Sequence, residues 1–114
     1  MPDCLFCKIA AGELPAERVL ESPRTVAFRD INPQAPVHVL VVPKEHYADA
    51  AALAEDEDGL LAEVVSQAHR VAVAEGVNDD GYRLVFNTGS RAGQTVFHAH
   101  AHLLGGRAMT WPPG

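Results

Sequence analysis

The chain has 114 residues, enough for one domain and one hydrophobic core. Hydrophobic residues make up 47% and charged residues 21%, which excludes a disordered chain. Nine Lys and Arg against fifteen Asp and Glu give a formal net charge of -6, so bulk electrostatics repel nucleic acid and anionic membrane, and a phosphate-bearing ligand needs a local site.

The start of the chain, Met1-Pro2-Asp3-Cys4, lacks a basic region followed by an apolar run and does not read as a signal peptide. No apolar stretch approaches the ~18–20 residues of a membrane-spanning helix. The only cysteines are Cys4 and Cys7, and one such pair is no disulfide framework. A cytoplasmic protein with one domain over residues 1–114 is expected.

Residues 3–11 read as a short helix, with Asp3 as N-cap, Gly12 as terminator and Pro15 as stop. Leu5, Phe6 and Ile9 form its apolar face. Glu17–Ser22 and Thr25–Arg29 read as a hairpin about Ser22-Pro23-Arg24. Val37–Val42 is β-branched and short, a strand that Pro43 ends. Asp56–Glu75 is the one long helical pattern, with Leu61, Val64, Val65, Ala68 and Ala72 on one face and Gly76 beyond its end. Tyr82–Phe86 is another strand, the glycine-rich residues 88–94 a loop, and Val96–Leu104 the last strand. Strands joined by hairpin-length connections predict an α+β fold: a five-stranded, mainly antiparallel sheet with one long and one short helix.

Three of the six histidines lie in the last strand, at 98, 100 and 102. Strand side chains alternate, so the three imidazoles share one face, spaced roughly 6–7 Å apart, while Ala99 and Ala101 point the other way. Three histidines on one buried face repel when protonated and need partners when neutral. Two chemistries fit: a metal site, or a histidine nucleophile with its neighbours on the phosphate and the leaving group. Gly89 and Gly93-Gln94-Thr95 favour the second, because a glycine-bearing turn offers main-chain N–H groups to phosphate oxygens and Thr95 adds a hydroxyl. His69 on the long helix and Arg91 on the loop read as surface residues.

The segment Gly93-Gln94-Thr95-Val96-Phe97-His98-Ala99-His100-Ala101-His102-Leu103-Leu104 resembles the signature of the histidine-triad family. Phe28-Arg29-Asp30-Ile31-Asn32-Pro33-Gln34-Ala35-Pro36-Val37-His38 resembles the nucleotide-pocket segment of its Hint branch, and Gly105–Gly114 resembles that branch's tail. The resemblance implies a nucleoside phosphoramidase acting on P–N or acyl-phosphate bonds of purine nucleoside monophosphates. It also implies a homodimer joining two five-stranded sheets. By the same resemblance His100 is the nucleophile and His102 binds phosphate and protonates the leaving amine, with His98 and His38 supporting. Asn87, Gln94 and Thr95 map onto phosphate-side donors and Asp30 onto the ribose-binding residue. Leu5, Phe6, Phe28 and Ile31 map onto the walls of the base site, and Trp111 onto a tail residue reaching the partner's site. Thr95 stands where the family pattern carries Ser, and Thr110 precedes Trp111 in a variable stretch of the tail.

Elementary chemistry agrees with these roles. Imidazole is nucleophilic near neutral pH when one ring nitrogen is free and the other donates to a fixed acceptor. No Lys or Arg lies among residues 93–104, so N–H dipoles and a protonated histidine must stabilise the anionic transition state. One carboxylate can accept from both hydroxyls of a ribose diol, which suits Asp30. The reaction needs no cofactor. Some histidine-triad proteins pair a Cys-x-x-Cys with two histidines around zinc, which implies Cys4, Cys7, His46 and His98 as a structural zinc set, with reduced thiols as the alternative. Other readings are a nucleotide-binding interaction module with vestigial hydrolysis, a metallohydrolase ligated by His98, His100 and His102, and a dinucleoside polyphosphate hydrolase.

Overall fold

A computed structural model describes residues 4–114. Strands β1 (Arg18–Glu21), β2 (Thr25–Arg29), β3 (Val37–Pro43), β4 (Tyr82–Val85) and β5 (Ala101–Gly105) form one sheet in the order β1-β2-β3-β5-β4. Every neighbouring pair is antiparallel. The expected α+β architecture is present.

Helix α1 (Leu5–Ala10) is shorter than expected and is capped by Cys4, whose Sγ accepts from Cys7 N at 3.3 Å. The expected cap, Asp3, lies outside the described residues. Gly12, at φ 79°, follows the helix end as expected. The β1–β2 hairpin is closed by Ser22 N donating to Thr25 O and by Ser22 Oγ accepting from Thr25 N.

The long helix begins at Leu60 and not at Asp56: α3 spans Leu60–Ala74. Asp56 stays outside it because its Oδ2 accepts from the main-chain N of Asp58 and Leu60, and Gly59 turns the chain at φ 75°. Its buried residues include Leu60, Val64, Ala68, Val71 and Ala72, whereas Val65 faces solvent and Leu61 is only partly buried. Val64, Ala68 and Ala72 lie on the buried face as expected, while Leu60 and Val71 take the places expected of Leu61 and Val65. A further helix, α2 (Ala50–Ala54), was not expected and starts where Asp49 Oδ1 accepts from Ala52 N.

The last strand also begins later than expected. Val41 pairs with Ala101, so the next partner on β3 is Pro43, which has no N–H to donate. Pro43 O accepts instead from the His98 ring, and Ala99 N donates to Tyr47 O. Residues 96–100 therefore run outside the ladder, yet the alternation survives. Ala99, Ala101 and Leu103 enter the core that the sheet forms with α3. The histidines face the other side, where Phe6, Ile9, Val26, Phe28, Leu40 and Val42 form a second, smaller core beneath α1. The sheet thus separates a structural face from a chemical face.

Candidate active site and metal cluster

On the chemical face lies a cleft of about 290 Å³. Helix α1 contributes Leu5, Phe6 and Ile9 to its wall, and β2 with the following turn contributes Phe28, Asp30 and Ile31. Its floor carries His100 and His102, with Thr95 and Val96 at one side. A larger and more open groove, about 480 Å³, lies between β4 and the tail and contains no histidine.

His100 is buried and its Nδ1 lies 2.8 Å from His98 O. A carbonyl only accepts, so Nδ1 carries a proton, and in the neutral ring Nε2 holds the lone pair. The Phe6 ring stands edge-on to His100, with centroids 5.0 Å apart, and likewise meets Phe28 at 5.5 Å. His102 lies ring to ring with His100 at 4.9 Å, and its Nδ1 is 3.0 Å from His38 Nε2. Asp30 Oδ2 approaches His38 Nε2 at 3.4 Å. Burial holds His38 and His98 below the usual imidazole range. Burial, reinforced by His100 and His38, takes His102 down to about 4 while Asp30 opposes the shift. The protonated histidine expected at the phosphate is therefore not His102 in the unliganded site.

Of the residues expected at the substrate, Leu5, Phe6, Phe28, Asp30, Ile31, Thr95, His100 and His102 all line the cleft. Three others do not. Gln94 is a brace: its Nε2 donates to Ala48 O and Val96 O, and its Oε1 accepts from Gly89 N. With both amide ends committed, it has no donor left for phosphate. The loop itself is similarly closed, since Ala92 N and Gln94 N donate to Gly89 O and Gly93 N donates to Ser90 O. Those N–H groups do not form the expected phosphate cradle. Asn87 follows β4 outside the cleft, and Trp111 is 82% exposed beyond it. Sequence reasoning missed Ile9, Pro15, Ala16, Leu40 and Val96 as wall residues. Apolar periodicity marks Ile9 and Leu40 as buried but not which void they border.

His98 turns away from the cleft toward α1. Its Nδ1 lies 3.3 Å from Cys4 Sγ and 3.4 Å from Cys7 Sγ, and His46 Nδ1 lies 3.4 Å from Cys7 Sγ. All four donor atoms are within 4.8 Å of one another. Zinc bonds of ~2.0–2.3 Å at tetrahedral angles place ligand atoms roughly 3.3–3.8 Å apart. His98 Nε2 donates to Pro43 O at 2.8 Å, which leaves Nδ1 as the free lone pair facing the thiols. The donor set fits a closed structural zinc site. Without an ion, burial pushes the Cys7 thiol up to about 11, with Cys4 adding to the shift.

An antiparallel sheet with an alternating histidine segment above an apolar-walled cleft defines the class of the protein. The HIT domain profile matches residues 11–109. An uncharacterised HIT-like protein of Synechococcus elongatus is 46% identical over 112 residues, covering 98% of this chain and 97% of the relative. A HIT family hydrolase of Legionella pneumophila superposes with a TM-score of 0.93 at 55% identity, covering 98% of this chain and all of that one. A HIT family hydrolase of Clostridium thermocellum gives 0.92 at 47% identity, covering 96% of each chain. The chain belongs to the HIT family.

Proposed function

We propose that the protein is a Hint-type nucleoside phosphoramidase, hydrolysing P–N or acyl-phosphate bonds of purine nucleoside monophosphates through a nucleotidyl-His100 intermediate. The observation that carries this reading is the 2.8 Å bond from His100 Nδ1 to His98 O, which frees Nε2 inside a cleft with apolar walls. The description of two similar structures as hydrolases supports a hydrolytic reaction.

In the first step, His100 Nε2 bonds to phosphorus while the bond to the leaving group breaks with its electron pair on the leaving atom. A carboxylate departs as the anion, and an amine also takes a proton delivered by His102, which recovers one from the attacking water in the second step. In the second step, water attacks phosphorus, loses a proton, and the P–N electron pair returns to Nε2. His102 binds the phosphoryl and leaving-group side, and Asp30 accepts from the ribose hydroxyls. Leu5, Phe6, Phe28 and Ile31 enclose the base. Thr95 is the loop member that lines the cleft and offers a hydroxyl.

Cys4, Cys7, His46 and His98 would hold a zinc ion whose role is structural, tying α1 to the segment bearing the nucleophile. The described residues hold no helix long and apolar enough to cross a membrane. We place the protein in the cytoplasm as a homodimer. Trp111, exposed in the single chain, would meet the partner.

The test is intact-mass measurement of protein quenched seconds after mixing with an adenosine phosphoramidate. A transient gain of one adenylate, absent in His100→Ala, is expected. Turnover without any adduct at the shortest quench times, or wild-type turnover by His100→Ala, overturns the nucleophile. Tight AMP binding with no turnover would make the protein a binding module.

A further inference from the structure

We infer that the main-chain N–H of Gln34 sets the tautomer of His102, acting through His38, so that His38 is a positioning residue for the site. The inference rests on the reading proposed above only for its catalytic consequence. The tautomer itself follows from three contacts.

Gln34 N donates to His38 Nδ1 at 3.0 Å. A main-chain N–H can only donate, so Nδ1 holds a lone pair and the neutral ring carries its proton on Nε2. That nitrogen lies 3.0 Å from His102 Nδ1 and 3.4 Å from Asp30 Oδ2. The shorter contact is a normal hydrogen bond and the longer one a weak one, so the proton goes to His102. His102 Nδ1 then accepts, and the His102 proton sits on Nε2. Both rings are neutral because burial depresses them. The groups facing His102 are His100, His38 and Asp30, and of these only Asp30 favours its charged form.

The origin of the chain is itself held in place. Asn32 N donates to Asp30 Oδ1 at 2.8 Å, Gln34 Nε2 donates to Asn32 O at 3.0 Å, and Gln34 O accepts from Arg107 Nε at 3.1 Å. A turn that carries no reacting group thus aims the donor of one that does. His102 begins as a neutral N–H donor. To become an imidazolium it must put a second proton on Nδ1, opposite the His38 Nε2–H at 3.0 Å. A leaving group that departs as an anion never asks for that reversal.

The test needs no substrate. Nitrogen-15 spectra of histidine-labelled protein at neutral pH should show His102 with an unprotonated Nδ1 and a protonated Nε2, and His38 likewise. Protonated Nδ1 on His102, in either the neutral or the charged ring, overturns the inference. His38→Ala should shift His102 toward a mixture of tautomers and lower kcat at least ~10-fold with KM changed less than ~3-fold. His38→Gln, whose amide offers both an acceptor for Gln34 N–H and a donor for His102, should restore the Nε2–H signature and most of kcat. An unchanged His102 spectrum in His38→Ala also overturns it. If no phosphoramidase activity is found, the spectra still decide the tautomer.

Discussion

Acidification should destabilise the fold, and a defined share of the loss belongs to His102. Its folded pKa of about 4 lies below the 6.5 of an unperturbed imidazole, chiefly because it is buried. Above 6.5 neither the folded nor the unfolded state binds a proton at this ring. Between 6.5 and about 4 the unfolded chain binds one and the folded chain does not. Stability therefore falls as pH falls through that window and levels off below it. Each pH unit inside the window is worth about 1.4 kcal/mol. At a pH of about 5 roughly 1.5 units have been crossed, giving an upper bound of ~2 kcal/mol. The ring reaches solvent through the cleft, so a working figure is ~1–2 kcal/mol. Urea unfolding of wild type and His102→Gln at pH of about 7.5 and about 5 measures it together with its coupling to His38 and His100, which touch the ring, while the contributions of the more distant His46 and cysteine thiols are common to both proteins and cancel. The variant should lose ~1–2 kcal/mol less than wild type on acidification. Identical pH dependence in the two proteins would refute the assignment of a depressed His102.

Other outcomes follow from single contacts. Gly105→Ala puts a Cβ 2.9 Å from Val77 Cβ in the core, so denaturant titration should show a loss of ~1–3 kcal/mol. Ile31 is fully exposed yet lines the cleft, so Ile31→Asp should raise KM for a purine nucleotide substrate roughly tenfold or more while unfolding stability stays within about 0.5 kcal/mol. Protein purified without chelator should carry one equivalent of zinc, and Cys7→Ser should reduce that and lower the melting temperature; less than ~0.1 equivalent in wild type would refute the zinc reading. Phe6→Ala removes the ring packed on His100 and Phe28, and should cost ~3–5 kcal/mol of stability with a matching fall in kcat.

The common face of the three histidines was legible because strand alternation is rigid: a histidine at every second position fixes it even where the hydrogen-bonded ladder stops. The Cys-x-x-Cys pair could be joined to His46 and His98 only through the resemblance, since their separation of up to 94 residues is closed by tertiary structure alone. What could not be read was competition for hydrogen bonds. Gln94 looks like a donor for a ligand, but Ala48 O and Val96 O take its hydrogens first. The glycine loop looks like an anion cradle, but its N–H groups turn inward on Gly89 O and Ser90 O. Asp56 delays α3 through a local side-chain bond that periodicity does not register. Asp49 with its alanine-rich successors was a readable start for α2, and five residues made too short a pattern to stand out.

Helix α1 has six residues, far fewer than a helix needs to persist by itself in water. It is held by Phe6 and Ile9 in the smaller core and by two cysteines at the His46–His98 cluster. Opening of that segment is therefore a sub-global event with its own free energy, distinct from unfolding of the sheet against α3. One such opening removes three apolar groups from the cleft wall and the ring that steadies His100, while β5 and His102 stay folded. On the function proposed above, amide exchange in α1 would report on the fraction of molecules able to turn over, and an ion held by Cys4, Cys7, His46 and His98 would raise that fraction without touching any group that meets the substrate.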